Sequence, residues 1–307
     1  MQRFPETMVL DGGFATELEH KGHAIGGTLW SARALIDAPD LVREVHLDYL
    51  AAGADCISTA SYQLSFPGMR EAGFSEAETV AALESSVRIA REACEISARA
   101  TRRSALVAAS LGAYGASLHN GAEYHGNYAC GFEVLVEFHR ERLQVLAGMG
   151  GDGPDLLAFE TIPSMEEARA ILAALEEFPA LRGWVAFTCR SGGEVAHGEA
   201  IRECAALLDA SEQVVAVGVN CTAPALVLSL LGELRQGTAK PLAVYPNSGR
   251  VWDAEARCWL GEGEIRFGEM IGAWVEHGAG WIGGCCGTGP ADVAEVRRVL
   301  DGGLFGR

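Results

Sequence analysis

The chain has 307 residues, 49% hydrophobic and 21% charged, with 41 Asp and Glu against 24 Lys and Arg for a formal net charge of −17. This is a globular composition at a length that suits one large α/β barrel as a single domain over residues 1–307. The anionic balance argues against nucleic acid and anionic membrane as partners. No apolar run reaches the roughly 18 residues of a membrane span, and residues 1–10 carry no secretory pattern, so the expected setting is cytoplasmic.

In chain order, short apolar runs alternate with longer helical patterns. Residues 7–13 read as the first strand, 39–53 as a helix and 54–60 as the second strand. A long helix over 75–98 opens on a capping box of Ser75 and Glu78, followed by a strand at 105–111 and a helix at 133–146. Strand 155–161 precedes a helix over 164–177, with Ser164 and Glu167 as its capping box. Strand 184–189 is followed by helix 200–208, strand 214–220 by helix 225–235, and strand 241–245 by helix 265–277. Strand 281–285 and helix 291–300 complete eight β/α units, which predict a closed, parallel (β/α)8 TIM barrel. The longest connections after strands, 14–38, 112–131 and 247–263, fall on the face where barrel enzymes keep their active sites.

Two of those strand ends carry cysteine: Cys221 after the sixth strand, and Cys285-Cys286 after the eighth. A barrel brings both to one face, and three thiolates form a zinc ligand set that leaves a fourth position open. Glycines around Cys285-Cys286 free the backbone to turn two adjacent thiols toward one metal. Space-filling is the plainer reading of a single buried cysteine, and it is the one taken for Cys56, Cys94, Cys130, Cys189, Cys204 and Cys258.

The runs Gly218-Val219-Asn220-Cys221 and Gly283-Gly284-Cys285-Cys286-Gly287-Thr288 resemble the homocysteine S-methyltransferase family. So do Asp11-Gly12-Gly13, Leu29-Trp30-Ser31-Ala32, Ala52-Gly53-Ala54-Asp55, Ser61-Tyr62-Gln63, Glu160-Thr161-Ile162-Pro163 and Tyr245-Pro246-Asn247-Ser248-Gly249, in family order. The likeness is to the short, cobalamin-independent branch that uses S-methylmethionine or S-adenosylmethionine.

The resemblance implies a methyltransferase that makes methionine from homocysteine, with Zn2+ on Cys221, Cys285 and Cys286. It implies no protein nucleophile and no strong general base, because the metal activates the substrate thiol. Asp11 and Glu160, with the Gly12-Gly13 backbone and Thr161, are expected to hold the amino-acid end of homocysteine. Asn220 either orients its loop or touches substrate. Trp30, Tyr62 and Tyr245 are candidates for the donor pocket, since aromatic faces bind sulfonium and quaternary ammonium groups, or else pack.

The implied partners are homocysteine and a methyl donor, on a monomer or homodimer. Alternatives are a betaine-type donor at the same zinc site, another thiol or selenol acceptor, or a non-catalytic zinc or redox thiol protein. Gly148–Gly153 matches GxGxxG but follows a helix, the wrong order for a dinucleotide site. His46 and His139 fall in predicted helices as surface or packing residues; His119 and His125 lie in the long loop after the third strand, where they could line the pocket.

Overall fold

A computed structural model describes residues 4–26, 29–249, 251–253, 258–260 and 267–302. Eight strands form one parallel sheet: β1 (Met8–Val9), β2 (Cys56–Ser58), β3 (Leu106–Gly112), β4 (Leu156–Ile162), β5 (Gly183–Phe187), β6 (Val214–Asn220), β7 (Leu242–Tyr245) and β10 (Ala279–Ile282). The order β1-β10-β7-β6-β5-β4-β3-β2 leaves only the β1–β2 seam, and a parallel bridge between Leu10 and Cys56 closes it. The short strands β8 (Val251–Asp253) and β9 (Cys258–Leu260) pair antiparallel as an excursion from the barrel.

Eight outer helices follow the strands: α3 (Pro39–Ala52), α5 (Glu76–Thr101), α6 (Phe132–Gly148), α7 (Met165–Glu176), α8 (Ile201–Asp209), α9 (Val227–Gly237), α10 (Phe267–Glu276) and α11 (Pro290–Gly302). Three smaller ones decorate the strand-end face: α1 (Phe14–His20), α2 (Ala34–Asp37) and α4 (Phe66–Glu71). The Ser75–Glu78 capping box of α5 is complete. At α7 only half of the expected box forms: the Ser164 hydroxyl accepts from the Glu167 N–H, but the Glu167 carboxylate turns inward to other partners. No helix among the described residues is long and apolar enough to cross a membrane.

Strand side chains alternate between two buried layers, as the two-residue period requires. Val9, Ile57, Val107, Phe159, Val185, Val219 and Val244 face the helices. Met8, Ala108, Ala158, Trp184, Ala186, Ala216, Ala243 and Trp281 fill the barrel axis. Trp184 and Trp281 meet edge to face at 5.6 Å, and the alanines make room for them.

Two residues further along five of the strands, the same inward parity passes from apolar to polar: Cys56 to Ser58, Ala108 to Ser110, Ala158 to Glu160, Gly218 to Asn220, Ala243 to Tyr245. The apolar plug therefore ends in a polar floor at the strand ends.

Candidate active site at the strand ends

Cys221, Cys285 and Cys286 meet above that floor, their sulfur atoms all within 4.8 Å of one another. The Cys221–Cys286 and Cys285–Cys286 sulfur separations are 3.6 and 4.0 Å. Thiolates on a tetrahedral zinc, each about 2.3 Å from the metal, stand about 3.8 Å apart, so the donor set and its spacing fit such an ion. The three thiols titrate as a unit. Hydrogen bonds from Cys285 and Cys286 hold Cys221 well below the usual thiol range, while their own deprotonation beside that charge is driven up. Only a cation can make all three thiolates at once.

Backbone geometry builds the cluster. Cys221 sits in the left-handed region at φ 46, directly beyond β6, and so does Thr161 at φ 59 near the end of β4. Asn220 stabilises this turn: its Oδ1 accepts from the Thr161 N–H at 2.7 Å and its Nδ2 donates to Thr161 Oγ1 at 2.9 Å. Its side chain thus orients Thr161, with one donor and one acceptor engaged in doing so.

Gly13 lies against the Cys285 loop, where a Cβ would come within 2.5 Å of the Cys285 carbonyl, and a Cβ on Gly12 would meet the Tyr49 ring at 2.8 Å. The Gly13 N–H already donates to the Thr288 carbonyl at 3.1 Å.

Asp11 and Glu160 are both buried. Asp11 accepts from the Ser58 N–H at 2.6 Å and the Ser58 hydroxyl at 3.2 Å. Burial, with the Glu160 charge added, pushes its carboxyl up to about 8. Glu160 accepts from the Ser110 hydroxyl at 2.5 Å, and burial raises it to about 7. Two buried carboxylates that act on one another are the chemistry that could receive an ammonium group.

Tyr245 stands beneath this pair. Its hydroxyl accepts from Trp184 Nε1 at 2.9 Å and donates to Glu160, so it belongs to the carboxylate floor. Tyr62 takes a hydrogen bond from the Thr161 hydroxyl and senses the Cys221 and Cys285 charges, which places it beside the thiols. Trp30 opens the 3-10 turn Trp30–Arg33; the placement of its side chain lies outside the described residues.

Three further contributors escaped the sequence reading. Tyr124, on a short turn in the long β3–α6 loop, points its hydroxyl at Cys221 Sγ, 3.4 Å away. Glu123 next to it carries a buried, unpartnered carboxylate oxygen. Glu167, Tyr128, His139 and Arg142 form a network that pins the loop: Glu167 accepts from the Tyr114 N–H (2.6 Å), Tyr128 Oη (2.9 Å) and His139 Nε2 (3.1 Å). Arg142 donates to His139 Nδ1 and to the Gly112 carbonyl. The one available signal was the length of that loop. Of its histidines, His125 is exposed and caps the Asn127 N–H, and His119 lies beside Gly68 of α4. His46 and His139 are both fully buried rather than on the surface.

Residues 8–300 match the family model described as homocysteine S-methyltransferase. The chain is 44% identical to homocysteine S-methyltransferase YbgG of Bacillus subtilis, covering 94% of this chain and 93% of that one. It is 46% identical to homocysteine S-methyltransferase 1 of Zea mays, covering 96% and 94%. The crystal structure of the metallated form of the homocysteine methyltransferase MmuM from Escherichia coli superposes with a TM-score of 0.85 at 40% identity, covering 95% of this chain and 96% of that one.

Proposed function

Because the chain belongs to the homocysteine S-methyltransferase family, we propose that it methylates the homocysteine sulfur at the mouth of its barrel, with zinc on Cys221, Cys285 and Cys286 and a sulfonium compound as donor. The observation that carries the metal assignment is the three-sulfur cluster, whose separations suit one tetrahedral ion. The metallated MmuM structure supports a metal there without naming it.

Held by those thiolates, zinc would supply a Lewis acid that lets the homocysteine thiol lose its proton to solvent and stand as a nucleophilic thiolate. Asp11 and Glu160 take the substrate ammonium between them, with Ser58, Ser110 and Tyr245 fixing their carboxylates. Asn220 locks Thr161 in place, and the absence of side chains at Gly12 and Gly13 lets the Asp11 turn pack directly on Tyr49 and the Cys285 loop.

Tyr124 stands over Cys221 and Tyr62 lies beside the thiols, narrowing the access of water to them. The transferred methyl forms a bond to the homocysteine sulfur as its bond to the donor sulfur breaks. An anionic sulfur and a cationic sulfonium become two neutral thioethers, so charge disappears on the way and a dry site favours the step. No side chain is required as nucleophile.

The test is methionine formation from homocysteine with S-methylmethionine, S-adenosylmethionine or betaine, alongside metal analysis of the purified protein. One zinc per chain and turnover with a sulfonium, both lost in Cys286→Ser, are expected. Turnover with betaine alone would overturn the donor assignment. Full activity in a protein stripped of metal would overturn the zinc assignment.

A further inference from the structure

One negative group at the roof of the site faces no positive partner among the described residues. Glu123 lies on the 3-10 turn Ala122–Tyr124, which packs against β4. One of its carboxylate oxygens is buried without any hydrogen-bond partner, and apart from its own backbone N–H nothing supports the group. Its position is fixed from behind by Gly115, where any Cβ would collide with the backbone of Ala122 and Glu123.

Glu123 directly precedes Tyr124, whose hydroxyl stands 3.4 Å from Cys221 Sγ, and its charge acts on Tyr62 and Tyr124, so the buried carboxylate belongs to the neighbourhood of the phenols and the thiols. In the reading above Asp11 and Glu160 answer the ammonium of homocysteine, which leaves this third carboxylate for the other substrate.

We propose that Glu123, together with the rings of Tyr62 and Tyr124, forms the cation-recognition wall of the methyl-donor subsite and selects a positively charged donor. This rests on the sulfonium-donor reading above. Aromatic faces supply the cation–π surface and the carboxylate supplies the full countercharge, a pairing whose value grows in a desolvated pocket. As the methyl leaves, the donor becomes a neutral thioether and loses its attraction to Glu123, which favours its release.

The test uses the metal-loaded enzyme and its Glu123→Gln variant, which keeps the size of the side chain. The KM for S-methylmethionine is expected to rise at least tenfold, with the KM for homocysteine, the metal content and the melting temperature unchanged. Titration calorimetry of S-methylmethionine without homocysteine reads the same wall independently of turnover, and the variant should bind at least tenfold more weakly. Unchanged donor KM and affinity in the variant would overturn the role of Glu123 while leaving the methyltransferase intact. A wild-type enzyme that turns over no sulfonium would sink the donor reading, and the calorimetric comparison would then decide the cation wall alone. Equal losses for donor and homocysteine would assign Glu123 to general site architecture and overturn the selective role.

Discussion

At the scale of single residues, the two left-handed positions Thr161 and Cys221 show how the site is held. A non-glycine residue there costs about 1–3 kcal/mol, and it persists only where its surroundings over-determine it. Asn220 does this for Thr161 through two buried hydrogen bonds, and it directly precedes Cys221 in the chain. Asn220→Ala leaves the Thr161 N–H buried without a partner, at a cost of about 1–3 kcal/mol. It should also loosen the Cys221 turn and weaken zinc binding by about tenfold, the low end for groups that orient a metal ligand. Thr161→Gly removes the left-handed penalty along with the hydroxyl, so it should destabilise less. Chemical denaturation and competitive zinc titration measure both variants. Undiminished zinc affinity in Asn220→Ala would show that Cys221 holds its conformation without help.

At the scale of elements, the β3–α6 loop is the part of the site that a barrel alone does not position. Its anchor is Glu167 in the first turn of α7, fully buried and accepting from Tyr114, Tyr128 and His139. Since Arg142 donates to His139 Nδ1, the ring proton sits on Nε2 and points at Glu167. Burial holds His139 down to about 4, so the ring is neutral. Glu167→Gln keeps one acceptor, turns a donor toward another donor, and removes a charge that acts on buried Arg142 from beyond His139, for a loss of about 1–3 kcal/mol. The loop should then exchange its amide hydrogens faster over 113–130 and the turnover rate should fall, with zinc still bound. Protection equal to wild type across that segment would refute the anchoring role.

The same loop marks the boundary of what the sequence could reveal. Strand 214–220 is predicted and observed with identical ends, because alternating valines between a helix and a strand-end cysteine leave little choice. The polar inward positions Glu160 and Asn220 were likewise readable from period and motif. Glu123, Tyr124 and Glu167 were not. Their roles depend on a long connection folding back across the barrel mouth, and nothing in local periodicity encodes that path. The Ser164–Glu167 spacing even pointed elsewhere, since a capping glutamate and a buried loop anchor have the same local pattern. The small helices α1, α2 and α4 were missed for a related reason: they are too short to show a period.

For the whole molecule, the buried carboxylates at the barrel mouth bear on stability. Asp11 titrates near 8 in the native state but near 4 when unfolded. Between those values the native protein holds a proton that the unfolded chain has released, so stability falls as pH rises. His46 and His139, held down to about 3 and 4 by burial, act with the opposite sign: their contribution grows with pH until the unfolded histidines lose charge near 6.5. Cys221, with its lowered value, also favours the native state as pH rises. A single curve therefore mixes signs, and the difference between wild type and Asp11→Asn isolates one of them. In metal-free protein the variant should gain on wild type by up to about 1.4 kcal/mol per pH unit between pH 5 and 8. Urea denaturation at three pH values in that range measures it. A flat difference would mean that Asp11 ionises as freely in the folded protein as in the unfolded chain. A rising one would show that the native barrel tolerates a destabilised anion at its mouth, and homocysteine should then raise stability more at pH 8 than at pH 5, because its ammonium supplies the charge that the empty pocket lacks.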